Sequence, residues 1–365
     1  MEVGISKRIA IIGAGFFGCA VAKKLSMNGH EVTIYEKSSD ILRGTSSANV
    51  YRVHRGPHYP RSIETASQCI DGYQKYCDEF SEAVFTDFPN YYLISSNGSH
   101  VDLHQFFEFC SKLEIPYSEL MKADIPQKFS NCDGGVLCQE GTINLFKMRD
   151  HFRNVFTERG IELILNEEIN SISKLNGAFT FNSNNHQYQS DIVVNCTFNN
   201  MNLGLGDIHH SPIELKYQKT VCFKCKTDAP LFGLTVMDGK FPTIFPTFWS
   251  KNSKKVDSFI LYHVKHSVCR EEISIKYPEL EDIHKDELDV RYKKTLDRVE
   301  EFIPSFRDNV IDIEYLVGDR VLRANVETTD MRLSEIINPV SGYFIVFQGK
   351  IDYSLNLAEE ISALI

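Results

Sequence analysis

The run Arg8-Ile9-Ala10-Ile11-Ile12 breaks at Gly13-Ala14-Gly15-Phe16-Phe17-Gly18, and this break leaves the chain few folds to choose from. A short, uninterrupted apolar run rich in β-branched residues predicts a central parallel strand covered on both faces. The stretch from Phe16 to Asn28 has helical character, with Val21, Leu25 and Met27 apolar and Gly29 placed to stop it. Glu31 to Glu36 then predicts a second strand, which completes a βαβ start. G-x-G-x-x-G in this setting has a mechanical meaning: Gly13 permits the tight turn, Gly15 admits a diphosphate to the backbone, and Gly18 lets helix and strand pack closely. The diphosphate meets the free amides and positive dipole end of the helix. Glu36, 18 residues after Gly18, stands where a carboxylate accepts hydrogen bonds from a ribose diol, which disfavours a 2′-phosphate there. The unit predicts an adenine dinucleotide and leaves NAD and FAD both open.

The remaining pattern divides the chain. Helices are expected over Ile63 to Phe80, His104 to Leu113 and Asn144 to Arg159, the last capped by Gly160. Strands are expected at Asn90 to Ser95, Glu162 to Leu165 and Asp191 to Cys196, with a hairpin turning near Asn176-Gly177. From Ser211 to about Leu316 alternating strands with Pro and Gly turns give way to a charged helix over Lys285 to Phe302. Strand character returns over Val340 to Phe347, before a closing amphipathic helix over Tyr353 to Leu364. The expected class is α/β, α+β overall: a Rossmann-type dinucleotide-binding domain built from residues 1–90, 140–210 and 317–365, interleaved with a mixed or antiparallel-sheet substrate domain from 91–139 and 211–316.

Composition narrows the function classes. A net charge of −10 offers no basic stripe for nucleic acid, and no apolar run reaches membrane-spanning length. Ten cysteines without a repeating spacing fit buried thiols of a reducing cytoplasm better than a disulfide framework. Cys222-Phe223-Lys224-Cys225 lies in a segment that alternates like a strand and so points its thiols to opposite faces; no metal site is expected there or elsewhere. His263 and His266 lack an accompanying metalloprotease motif.

Four stretches together resemble the D-amino-acid oxidase and glycine oxidase superfamily of FAD-dependent oxidoreductases, which includes sarcosine-oxidase-like and L-2-hydroxyglutarate-dehydrogenase-like members. They are Gly13 to Lys37; Gly44-Thr-Ser-Ser-Ala-Asn-Val-Tyr-Arg-Val-His-Arg-Gly-Pro-His-Tyr-Pro60; Asp191-Ile-Val-Val-Asn-Cys-Thr197; and Ser341 to Asp352 with its helix. The resemblance implies bound FAD, held without a covalent link. It places Ser46, Ser47 and Asn49 along the cofactor and His54 near the flavin ring. Lys37, Phe16, Phe17 and Thr197 fall beside the nucleotide, and Gly349, Lys350 and Ile351 at the helix end that faces the flavin pyrimidine. Phe198-Asn199-Asn200 replace the glycine and serine that usually follow Thr197.

The implied activity, as oxidase or dehydrogenase, is removal of a hydride from a carbon bearing an amine or hydroxyl in a small, carboxylate-bearing substrate: an amino acid, an N-substituted amino acid or a 2-hydroxy acid. His54 is the candidate proton acceptor and Arg332, in Asp330-Met331-Arg332, the candidate carboxylate clamp, with Arg52, Arg55, Arg320 and Arg323 as competitors. Lys265, two residues from His263 on an expected strand, is a third catalytic candidate, against the plainer reading of a solvated strand face. Competing readings are an NAD-linked dehydrogenase and a non-catalytic flavin-binding subunit. Oligomeric state is left open.

Overall fold

In the computed structural model, which describes residues 5–208, 210–324 and 329–365, the strand Arg8–Ile12 occupies the middle of a six-stranded sheet. Its neighbours are Glu31–Glu36 on one side and Ile192–Asn195 on the other, both parallel to it, with Ile9 beside Val32 and Ile192. Glu162–Leu165 and Tyr343–Phe347 extend the parallel set outward, and Glu335–Val340 closes one edge antiparallel. Both faces are covered, as the unbroken apolar run requires. Ile9 and Ile11 pack on the helical side with Val21 and Leu25, Phe152, Leu357 and Ile361. Ala10 and Ile12 pack on the opposite side against Ile172, Phe179 and Phe181. That second cover is a three-stranded antiparallel sheet, Ser171–Leu175, Ala178–Asn182 and Gln187–Ser190. Each fully buried side chain of this size contributes about 1.5–3 kcal/mol relative to exposure.

A second body is built on a nine-stranded sheet. Its backbone is the long strand Leu215–Lys226, paired along its whole length with Asp312–Arg323 and also with Ser258–His263 and Val268–Ser274. Asn90–Ser95, Ser118–Met121 and Cys132–Leu137 join the far side of the same sheet through Gly233–Met237. Chain segments from either side of the residue 140–210 stretch therefore share one sheet. The expected boundary at 316/317 is corrected: it cuts the strand Asp312–Arg323, whose pairing with Leu215–Lys226 runs unbroken through it.

Local signals set most boundaries. Asn144 caps the helix Leu145–Arg159 by accepting from the amides of Phe146 and Lys147, and Gly160 ends it in the left-handed conformation. Asp102 and Gln105 form a reciprocal capping box on Leu103–Lys112. Cys222 and Cys225 sit in different hydrophobic clusters on opposite faces of their strand, and all ten cysteines are free. No helix among the described residues is long and apolar enough to cross a membrane.

Candidate active site

The two bodies meet over a cavity of about 410 Å³. One end is formed by the first glycine turn and the end of the second strand. Gly13, at φ +99°, has room for no side chain, because a Cβ would stand 2.7 Å from the Cys196 carbonyl oxygen. Gly15 is the N-cap of the helix Phe16–Met27; it makes no side-chain cap, and the first turn holds no acid, so the helix amides are left for a ligand. Gly13, Gly15, Phe16 and Phe17 all line the cavity, whereas Gly18 lies behind it, packed against the Gly13 carbonyl. Glu36 accepts from the amides of Ala14 and Ser38, both at 2.8 Å, and lines the same end together with Lys37. Its carboxylate is thereby fixed beside the glycine turn.

The wall comes from residues 43–54. Ser46 and Asn49 line the cavity. Asn49 also ties down its own loop, donating to the carbonyls of Thr45 and Ser46 and accepting from the Tyr51 amide. Ser47 does not line the cavity; its hydroxyl donates to the Gly44 carbonyl, 3.0 Å away, so its expected cofactor contact is corrected to a turn-closing role. Thr197 lines the cavity, with its amide and hydroxyl both held by the Asn195 side chain. Phe198 stands at φ +61° where the related motif carries glycine. The backbone keeps the left-handed turn at a cost of about 1–2 kcal/mol.

At the other end the C-terminal segment returns. Gly349, Lys350 and Ile351 line the cavity, and a Cβ on Gly349 would stand 2.2 Å from the Arg332 carbonyl oxygen. Three cavity-lining side chains here, His54 and His58 at Nδ1 and Tyr262 at its hydroxyl, carry a buried polar atom with no hydrogen-bond partner among the described residues. Unsatisfied polar groups are costly in a protein interior, and these three line a cavity where a ligand could meet them. Burial, reinforced by the Lys350 ammonium, His58 and the Arg52 guanidinium, holds the His54 imidazole well below the usual histidine range. Burial does the same to His58, helped by Arg52 and Lys350. Both rings are neutral at pH 7, with centroids 5.0 Å apart. Burial also lowers the Lys350 ammonium and raises the Asp352 carboxyl, whose Oδ1 accepts from the His54 amide at 3.1 Å.

The arginine candidates separate by their partners. Arg52 is fully buried in an ion pair with Glu140, donates to Thr235, and lies between the rings of Tyr92 and Phe245. Arg323 pairs with Glu335. Arg332 lines the cavity but is ion-paired to Asp330 and donates to the Met331 carbonyl. Arg320 lines the cavity with no ion pair among the described residues; its Nε and Nη2 both donate to Gln218 and its guanidinium lies 5.7 Å from the centre of the Tyr262 ring. Lys265 is corrected. The strand ends at His263, and Lys265 sits exposed in the following turn, off the cavity, with its amide donating to His263 Nδ1. Sequence reasoning passed over His58, Tyr262 and Glu140. The spacing His54-x-x-x-His58 was a visible signal for the first; the other two carry none, because they reach the site from distant strands and loops.

The DAO family, described as FAD-dependent oxidoreductase, matches residues 8–349.

The chain belongs to this family of FAD-dependent oxidoreductases.

The glycine turn and the uncapped helix amides fit the diphosphate of FAD, and Glu36 at one end of the cavity and His54 and Lys350 at the other are the residues that would hold its adenine and flavin sides. NAD, the competing dinucleotide, gives way to FAD on the family match. An FAD-dependent monooxygenase, kojA of Aspergillus flavus, is 26% identical over 384 aligned residues covering 100% of this chain and 87% of the relative. A mitochondrial L-2-hydroxyglutarate dehydrogenase of Arabidopsis thaliana is 42% identical over 73 residues, 19% of this chain and 15% of the relative. Among solved structures, glycine oxidase from Geobacillus kaustophilus superposes with a TM-score of 0.77 at 14% identity, covering 98% of this chain and 95% of that one, a likeness of fold.

Proposed function

We propose that this flavoenzyme removes a hydride from the carbon bearing a hydroxyl or amine in a small, carboxylate-bearing substrate. One observation carries the reading: the buried His54 imidazole and the partly buried His58 imidazole share a cavity with the Arg320 guanidinium and the Lys350 ammonium, neither of which has a carboxylate ion-pair partner among the described residues. FAD, when bound, supplies the acceptor for the two electrons that leave the substrate carbon. The chain supplies the rest. His54, neutral because it is buried, takes the proton from the substrate hydroxyl or amine. Arg320, held by Gln218, presents a fixed fork to the substrate carboxylate, and this role passes to it from Arg332, which Asp330 already neutralises.

The deciding experiment mixes FAD-loaded protein anaerobically with L-2-hydroxyglutarate, L-lactate, glycine, sarcosine, L-proline and D-alanine. Bleaching of the flavin band by at least one member is expected. A flavin that every member leaves oxidised would overturn the reading and favour a non-catalytic flavin-binding subunit. A second reading, monooxygenation, is favoured by the whole-chain similarity to the fungal protein of that name. It requires an external reductant and places one atom of O₂ in the product, so reduction by NADPH alone, followed by ¹⁸O incorporation from ¹⁸O₂, would select it.

A further inference from the structure

We propose that Glu140 is a positioning residue for proton transfer: it orients the His54 ring through Nδ1 and stabilises the imidazolium formed when Nε2 accepts the substrate proton. The inference rests on the reading of His54 given above and names a group outside the cavity. Glu140 is completely buried in the loop just before the strand Gly141–Ile143, which pairs with Arg52–Val53. Its two oxygens face different ways. Oε2 neutralises Arg52 Nε. Oε1 accepts from the Arg55 amide at 2.9 Å and from the Tyr92 hydroxyl at 2.8 Å, and stands 3.8 Å from His54 Nδ1. A carboxylate serving only to neutralise Arg52 has no need to clasp the backbone one residue beyond His54.

Nδ1 of His54 is sealed from solvent and has no hydrogen-bond partner among the described residues, so a proton there has Glu140 as its acceptor after a shift of less than 1 Å to ordinary hydrogen-bond length. That tautomer leaves the lone pair on Nε2, the other nitrogen of a ring that lines the cavity. The substrate O–H or N–H proton would pass to Nε2, the C–H hydrogen would leave with its two electrons to bound FAD as the acceptor, and the carbon would be left doubly bonded to oxygen or nitrogen. The other charged or titratable groups around His54 are Arg52, His58 and Tyr59 from its own segment, Lys350 and Asp352 from the C-terminal return, and Cys69, whose thiol interacts with Asp352, from the helix Ile63–Glu79. Lys350, His58 and Arg52 all oppose a charged His54, and Glu140 is the anion placed at its ring to oppose them.

The test follows anaerobic flavin reduction against pH, using whichever panel member bleaches the flavin, in the FAD-loaded wild type and the variants Glu140→Gln, Glu140→Asp and His54→Asn. Loss of the Glu140 charge is expected to move the acid limb about one pH unit or more to lower pH and to lower the plateau about tenfold or more, with Glu140→Asp restoring part of both. A lowered plateau with an unmoved limb would show Glu140 to be structural only. If His54→Asn keeps both the limb and the rate, the underlying reading fails as well, and the two failures are thereby told apart. Should Glu140→Gln not fold, the limb and plateau of Glu140→Asp, read against wild type, and the spectra of the wild type described next decide instead. Independently, ¹⁵N-histidine spectra of the wild-type holoenzyme, assigned by the signal lost in His54→Asn, should show the proton on Nδ1; a proton on Nε2 would overturn the proposal.

Discussion

Gly18 rests directly on Gly13: a Cβ on Gly18 would stand 1.9 Å from the Gly13 carbonyl oxygen, inside any permissible contact. The helix that carries the nucleotide-facing amides can approach the central strand only because position 18 has no side chain. Gly15 differs, since a Cβ there meets only the Ser46 hydroxyl at 3.3 Å and its φ of −74° suits any residue.

The two glycines therefore separate packing from ligand binding. Gly18→Val is expected to lose both FAD and about 1–3 kcal/mol or more of stability through overpacking. Gly15→Val is expected to fold and lose FAD, because the new side chain enters the path of the diphosphate. Gly206→Ala, where an added Cβ meets nothing within 4 Å among the described residues, should stay within about 0.5 kcal/mol of wild type. Flavin absorbance after gel filtration, with thermal melts of the apoproteins, reads all three.

His54 and Arg320 should divide chemistry from binding. His54→Asn is expected to keep FAD and lower the limiting rate of flavin reduction about 10²–10⁴-fold. Arg320→Met is expected to act on KM instead, weakening substrate binding by about 1.5–3 kcal/mol, the worth of hydrogen bonds to a charged group. Stopped-flow reduction across substrate concentration checks the split, and a large rate loss with unchanged KM in Arg320→Met would count against the carboxylate role.

Burial of His54 and of the inner edge of His58 makes stability depend on pH with a definite sign. Both imidazoles are lowered below their unfolded value of 6.5, so in acid the unfolded chain binds more protons than the folded one. Their contribution is complete above about pH 6.5 and is lost as pH falls below it. Thermal melts between pH 8 and pH 5 should show a falling midpoint, and His58→Asn should show a shallower fall. An equal slope in the variant would show that His58 is not held neutral.

Breaking the Arg52–Glu140 pair from one side leaves a buried charge alone. Arg52→Met is expected to cost about 3–5 kcal/mol, whereas Arg52→Met with Glu140→Gln together should cost less than Arg52→Met by itself. Denaturant unfolding of the single and double variants tests this. An additive cycle would mean that the ion pair carries no coupling.

What the sequence determined by itself was local. A strand covered on both faces, a turn that only glycine permits, helix caps such as Asn144 and Gly160, and a carboxylate at Glu36 all follow from backbone sterics and hydrophobic period, which act over a few residues. The four-motif resemblance added FAD on the same local footing, and most of the residues it named line one cavity. Tertiary structure alone decided which charges are spoken for. Asp330 neutralises Arg332, Glu140 reaches Arg52 from 88 residues away, and Gln218 holds Arg320 from 102 away. The strand expected to carry Lys265 stopped at His263, and the strand Asp312–Arg323 crossed an expected domain boundary because its partner lies nearly a hundred residues earlier. Ion pairing and ladder formation depend on which segments folding brings together, and periodicity along the chain does not record that.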